Sequence, residues 1–277
     1  MSNRMTPRIT AQSNPNWGVF DLETFTDKNL EGKLYSRVYA LGFLTKSEKI
    51  TFYLTYFFSN NREGSHKLVL HCIDQMLEPK FNKFMFYVHN LGKFDVIFFH
   101  KVLIDYNKNV ENKYKLEPLY RDNKIIRLTI KIKWNKKHIQ ISFVDSMNLL
   151  EGSLDKLSID YQVTTSKGVF PYLFVNKYNL NYIGPRPHIS YYNEDIDKIE
   201  YYKNLSGGEA TYNWNLREEC LKYLDKDLQS LFEILSKFQE TLWIDHQNLE
   251  MTQHLTLSGV AKTKFLKYYL KNSKNPP

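Results

Sequence analysis

Asp21 and Glu23, in the run Phe20-Asp21-Leu22-Glu23-Thr24, are the pair best suited to hold a divalent cation. On an extended strand, residues two apart project from the same face, so both carboxylates reach one site. Two anions side by side are costly to bury unless a cation neutralises them, and hard carboxylate oxygens suit Mg²⁺ or Mn²⁺. An acid-x-acid triplet on an edge strand is just as readily a solvated pair, so metal chemistry needs carboxylates from elsewhere. Two places offer them. His89-Asn90-Leu91-Gly92-Lys93-Phe94-Asp95 follows an aromatic run and opens a helical one, where the Asp95 carboxylate can face the end of the first strand. The plainer alternative is a helix entry, with Asn90 as cap and Asp95 complementing the helix dipole. Tyr223 and Asp227 are four apart in a leucine-rich run, which puts a hydroxyl and a carboxylate on one helix face, as an ordinary boundary pair also would be.

The elements that must position these residues follow from periodicity. Residues 17–25 read as a strand, and β-rich runs at 36–44 and 50–58 complete a three-strand meander. Leu68, Cys72, Ile73, Met76 and Leu77 give His66 to Leu77 a helical spacing that Pro79 stops. Lys83 to Val88 is a compact aromatic strand and Phe94 to Ile104 a helix, so the alternation is α/β. Ile125 to Ile132 and His138 to Val144 flank Trp134-Asn135-Lys136-Lys137 as a hairpin with a basic tip at Lys133, Lys136 and Lys137. That tip could track a nucleic-acid backbone, or it is a solvated turn. Ser153 caps a short helix through Tyr161. Lys167 to Asn204 has no clean period and reads as a long ordered excursion. Leu221, Leu224, Leu228, Leu231 and Leu235 mark a long amphipathic helix from Leu216 to about Phe238, and Leu257 to Leu270 reads as a last helix.

Composition bounds the partners. The 277 residues suffice for one large domain with a real core, and the net charge of +8 favours polyanions. An A/T-rich genome would enrich the same Lys, Asn, Ile, Tyr and Phe, so charge suggests nucleic acid without deciding it. Cys72 and Cys220 stand far apart with no metal-binding spacing and read as free thiols in a reducing compartment. No run approaches the roughly 20 apolar residues of a membrane-spanning helix, and no signal-peptide core follows the start, so the chain reads as soluble. Arg4 and Arg8, with no acid in the first 20 residues, faintly resemble a transit peptide; a short lead-in to the first strand is the plainer reading.

The three acidic elements, in this order and spacing, resemble the Exo I, Exo II and Exo III motifs of family B DNA polymerases. His-Asn-Leu-Gly-Lys-Phe-Asp is similar to the protein-primed branch found in linear plasmids, mitochondria and some phages. Ser153-Leu154-Asp155-Lys156-Leu157 resembles that branch's Ser-Leu-x-x-hydrophobic motif, which holds single-stranded DNA or the terminal protein; Lys167-Gly168-Val169-Phe170 resembles its Lys-x-x-hydrophobic motif. The resemblance covers roughly residues 17 to 270. It implies a ribonuclease H-like 3′ to 5′ exonuclease fold, a mixed sheet with flanking helices. It also implies that Asp21, Glu23, Asp95 and Asp227 hold two divalent ions, Mg²⁺ or Mn²⁺, about 4 Å apart. Tyr223 then orients the attacking water and Lys167 offsets phosphate charge, while Asn90, Phe94, Ser153 and Leu154 grip the last unpaired nucleotides of a DNA 3′ end.

Residues 1–16 are expected to be a tail and 17–245 the exonuclease domain, with 246–277 beginning the segment that leads into a polymerase domain. The palm motifs of the Asp-x-x-Ser-Leu-Tyr-Pro and Asp-Thr-Asp kinds do not occur before Pro277, so no synthesis is expected from this chain alone. A polymerase domain encoded elsewhere and a terminal protein are the implied partners, and an organelle- or plasmid-encoded mitochondrial protein is the implied setting. The alternative is a truncated, catalytically silent DNA-binding relic.

Overall fold

Strand β1 (Trp17–Lys28) pairs antiparallel with β2 (Leu34–Thr45), which pairs antiparallel with β3 (Lys49–Tyr53). On the other side of β1, strands β4 (Phe84–Val88) and β7 (Lys137–Asp145) continue the sheet in parallel. Antiparallel β6 (Lys124–Trp134) and β5 (Lys115–Arg121) then complete the order β3-β2-β1-β4-β7-β6-β5. The computed structural model describes residues 16–29, 31–91, 95–110, 112–165, 168–192, 213–244 and 248–267, without the side chains of 95–97.

Helices cover both faces of the sheet. The short α1 (Leu54–Phe57) precedes α2 (Arg62–Met76), which packs with α3 (Asp95–Asn109) on one face. There Ser65 of α2 donates to the Val38 carbonyl of β2. Phe20 meets Phe99 of α3 and Phe143 of β7 edge to face at 5.9 and 5.3 Å. On the other face lie α4 (Leu154–Asp160) and the long α5 (Leu216–Ile244), where the Trp17 indole stacks on Phe232 at 4.7 Å. The alternation along β1 therefore sends Phe20 toward α3, and Trp17, Asp21 and Glu23 toward α5. A helix α6 (Leu257–Phe265), capped by Thr256, closes the described chain. Among the described residues no helix is long and apolar enough to cross a membrane.

Where elements differ from the sequence reading, the causes are local. Strand β3 stops at Tyr53 rather than residue 58, because residues 54–57 turn into α1. Helix α2 begins at Arg62, four residues earlier than its apolar spacing indicates, because the Asn61 side chain caps it by accepting from Gly64 N. Strand β5 has no counterpart in the sequence reading: Pro118 interrupts the pattern, which an outermost strand tolerates. Helix α5 runs six residues past Phe238, burying Leu242 and also Gln239, whose amide serves the Leu249 carbonyl and the Met251 N–H.

Part of the expected ordered excursion, residues 168–192, is strapped to the sheet edge. Tyr53 donates to the Leu180 carbonyl, and Asn60 donates to the Lys177 carbonyl while accepting from Arg37, each at 2.7 Å. Arg37 is buried and pairs at 3.0 Å with buried Asp27, which Lys177 also approaches at 3.2 Å. Burial alone would raise the Asp27 pKa, but Arg37, the Lys28 N–H and Lys177 outweigh it and lower it from 3.8 to about 2. A depressed carboxylate pKa stabilises the fold above its unfolded value, and that stabilisation is lost as pH falls from about 4 through about 2. Arg37→Met is expected to cost about 3 kcal/mol at neutral pH and to shrink this acid-side loss, as denaturant titrations at pH 6 and pH 3 will register.

Candidate active site

Three carboxylates converge between β1 and α5. One oxygen each from Asp21, Glu23 and Asp227 lies within 4.8 Å of the others, and Glu23 and Asp227 are buried at 7% and 8% exposure. The strand pairing makes room for them, since Asp21 sits opposite Gly42 and Glu23 opposite Ala40 on β2, the two smallest side chains. Directly after Glu23 the register shifts by a bulge, a device that re-aims side chains beside functional sites. Behind Glu23 the sheet and α5 are sealed by Cys220 and Tyr39. Burial first, and then the charge of Glu23, pushes the Cys220 thiol pKa well up, so Cys220 is a packing residue here; Cys72 is buried in α2, and both thiols are free as expected.

Asp227 enters from α5 with Tyr223 one turn before it, as the spacing implied. The Tyr223 hydroxyl is hydrogen-bonded to Asp227, and burial followed by the charges of Asp227 and Glu23 holds its pKa far above 10. Its ring is clamped between Phe170 (5.5 Å, tilted) and Tyr172 (5.4 Å, edge to face). Tyr172 is a site residue the sequence reading missed. Burial and then Glu23 raise its pKa, and its hydroxyl is hydrogen-bonded to Tyr223. An ionised Asp227 only accepts, so between the two groups Tyr223 is the donor. Nothing in the local sequence distinguishes Tyr172 among 20 tyrosines.

Gly168 sets the other limit on Tyr223. A Cβ there would stand 2.9 Å from the Tyr223 ring, which its aromatic clamp prevents from yielding. Gly168→Ala is therefore expected to displace the hydroxyl and lower any turnover that depends on it by about 10- to 100-fold, while leaving cation binding to the carboxylates intact. Steady-state kinetics beside a Mg²⁺-dependent melting curve separate the two.

The third wall comes from the ends of β4 and β7. His89 donates through Nε2 to the Gly152 carbonyl and, neutral, accepts at Nδ1 from Ser146, both at 3.0 Å. Burial lowers its pKa, consistent with the neutral form. The His89 ring thus ties β4 to the loop that presents Ser153 and Leu154. Asn90 takes a left-handed backbone (φ 66) and gives its N–H to Asp145 at 3.1 Å. It lies five residues before α3 and so is not that helix's cap. Ser153 does cap α4, accepting from Lys156 N at 3.2 Å, and keeps a hydroxyl proton to donate.

Together these residues line one open cleft of about 460 Å³, with Asp21, Asn90, Ser153, Leu154, Tyr223 and Asp227 all on its wall. Six of the residues singled out from sequence therefore share a single cavity, and Glu23 joins its carboxylates. Phe94, Lys167 and the side chain of Asp95 lie outside the described residues. The donor set fits hard divalent cations: three carboxylates, two of them buried, with no nitrogen or sulfur ligand in the group among the described residues.

A family model described as DNA polymerase type B, organellar and viral, matches residues 76–277. A probable DNA polymerase of Podospora anserina is 33% identical across 91% of this chain, as is one of Agaricus bitorquis. This chain belongs to the organellar and viral type B DNA polymerases. It spans 24% and 31% of the lengths of those two relatives. Among solved structures, Phi29 DNA polymerase complexed with single-stranded DNA superposes with a TM-score of 0.54 at 19% identity, over 93% of this chain and 35% of that one. The same polymerase complexed with primer-template DNA gives 0.52 at 19% identity, over 91% and 34%. That likeness is one of fold, and with the mixed sheet and flanking helices it makes this type B polymerase segment ribonuclease H-like.

Proposed function

We propose that this segment is the 3′ to 5′ exonuclease part of a protein-primed type B DNA polymerase, removing 3′-terminal nucleotides from single-stranded DNA. The observation that carries the reading is the convergence of Asp21, Glu23 and Asp227 in one cleft beside Tyr223. Two divalent cations held by these carboxylates, with Asp95 as fourth ligand, would supply an activated water and neutralise the leaving 3′ oxygen. The side chains do the positioning. Tyr223, kept protonated, would orient the attacking water by accepting a hydrogen bond from it. Asn90, Ser153 and Leu154 line the cleft where the last nucleotides lie, with Phe94 stacking and Lys167 offsetting phosphate charge. Residues 17–245 form this domain, and 246–277 begin the connection to a polymerase domain, with the terminal protein a further partner. The organellar family description and the two fungal relatives support a mitochondrial setting.

A single strand labelled at its 5′ end, incubated with the protein and Mg²⁺, is expected to give a ladder shortened from the 3′ end. Tight binding of an intact strand by well-folded protein, with neither Mg²⁺ nor Mn²⁺ producing a ladder, would sink the hydrolytic reading and leave a silent DNA-binding module.

A further inference from the structure

The tip of the β6–β7 hairpin stands at the far end of the sheet from the carboxylate cleft. Strand β7 runs from Lys137 at the tip to Asp145, which holds the cleft residue Asn90, a span of about 27 Å at 3.4 Å per residue. Three features of the tip are unusual for a plain solvated turn. Trp134 is 50% exposed, whereas Trp17 and Trp214 are buried and Trp243 is partly covered. An uncovered indole is the kind of surface that interfaces use. The two-residue turn places Asn135 and Lys136 at φ 44 and 66. Glycine is favoured at the second position, so a lysine is held there against backbone preference. Finally, the surrounding charge is one-sided: among the described residues, Lys113, Lys115, Lys131, Lys133, Lys136 and Lys137 have only Asp74 and Glu117 as ion-pair partners. Those carboxylates engage Lys113, Lys115 and Lys131, so Lys133, Lys136 and Lys137 have no carboxylate partner among the described residues.

The register arranges these groups around the tip. Trp134 lies opposite Lys137 on one face. Lys133 lies opposite His138 on the other, along a groove of about 430 Å³. The exposed Trp134 ring beside Lys136 and Lys137 matches an unpaired base with its two neighbouring phosphates, while Lys133, on the groove face, is placed for a third phosphate farther along the strand. From this we infer that the hairpin tip is a second binding surface for single-stranded nucleic acid, in which Trp134 stacks on a base while Lys133, Lys136 and Lys137 neutralise phosphates. An acidic protein segment would satisfy the lysines but leave the indole without its stacking partner. Binding at the tip requires no hydrolysis and stands independently of the function assigned to the cleft.

The test uses the full chain in EDTA, titrated with a 20-nucleotide oligothymidylate while intrinsic fluorescence is followed. The expected result is quenching that disappears in Trp134→Phe, whose ring preserves the hairpin and keeps affinity near that of the unaltered protein. Trp134→Ala is expected to bind about tenfold more weakly. Combined Lys133→Ala, Lys136→Ala, Lys137→Ala should flatten the slope of log K against log salt by about 2, at roughly 0.7 for each phosphate no longer neutralised. All of these effects should persist in an Asp21→Ala, Glu23→Ala background, which separates the tip from the cleft. Unchanged quenching in Trp134→Phe together with an unchanged salt slope in the lysine variant overturns the inference. Equal Trp134 quenching by a blunt duplex overturns base stacking, and equal quenching by polyglutamate overturns nucleic acid as the partner.

Discussion

The Asp21→Ala, Glu23→Ala protein is expected to trim single strands at least about 10³-fold more slowly than the unaltered chain. Cation stabilisation of the reacting oxygens is worth several kcal/mol, and each 1.36 kcal/mol is tenfold in rate. Activity alone would not distinguish missing ligands from a damaged fold, but the electrostatics of the site give a second reading of opposite sign. The three carboxylates lie within 4.8 Å of one another, so without cations they repel, and the native state carries that cost. Removing two of them should leave the metal-free protein at least as stable as before, with a gain of up to about 1 to 2 kcal/mol. Added Mg²⁺ should raise the melting temperature of the unaltered protein alone. At 100 times the dissociation constant the gain is about 2.7 kcal/mol, or roughly 5 to 10 °C for a chain of this size. A Mg²⁺-induced rise that survives in the double variant would remove Asp21 and Glu23 from the site, even with activity gone.

How far the site could be read from sequence depended on whether a residue's partner was close along the chain. Asp21 with Glu23 and Tyr223 with Asp227 obey strand and helix periodicity, and each pair arrives in the cleft as its spacing implies. Asn90, Ser153 and Leu154, which the motif resemblance singled out, line the same cleft. Tyr172 escaped notice because its place is set by tertiary strapping: Tyr53, Arg37, Asp27 and Asn60 hold the excursion that carries it, and no local pattern encodes those bonds. His89 stood in a noted motif, but its role as a tie between β4 and Gly152 depends on a carbonyl 63 residues away. Fold-level errors have the same origin. Strand β5 exists only because β6 pairs with it, and Gln239 is buried only because residues 249 and 251 supply its partners.

Tyr223→Phe is expected to lower the rate of 3′ trimming by about 10²-fold with KM changed by less than about threefold, the size of effect a positioned hydrogen-bonding group supplies. The substitution retains the ring, so the packing against Phe170, Tyr172 and Gly168 persists and α5 keeps its buried face. What disappears is the hydrogen bond to Asp227 and the oxygen that can accept a hydrogen bond from water. The Asp227 carboxylate stays where it is, so the Mg²⁺-induced rise in melting temperature should be undiminished. That combination marks a group acting on the water rather than on the cations. If Tyr223→Phe abolishes the Mg²⁺ effect as well, the hydroxyl is holding Asp227 in its ligating position, and the water-orienting role passes to Tyr172. The two outcomes separate cleanly because Tyr172→Phe removes the hydroxyl beside Tyr223 while leaving the contact of Tyr223 with Asp227 in place.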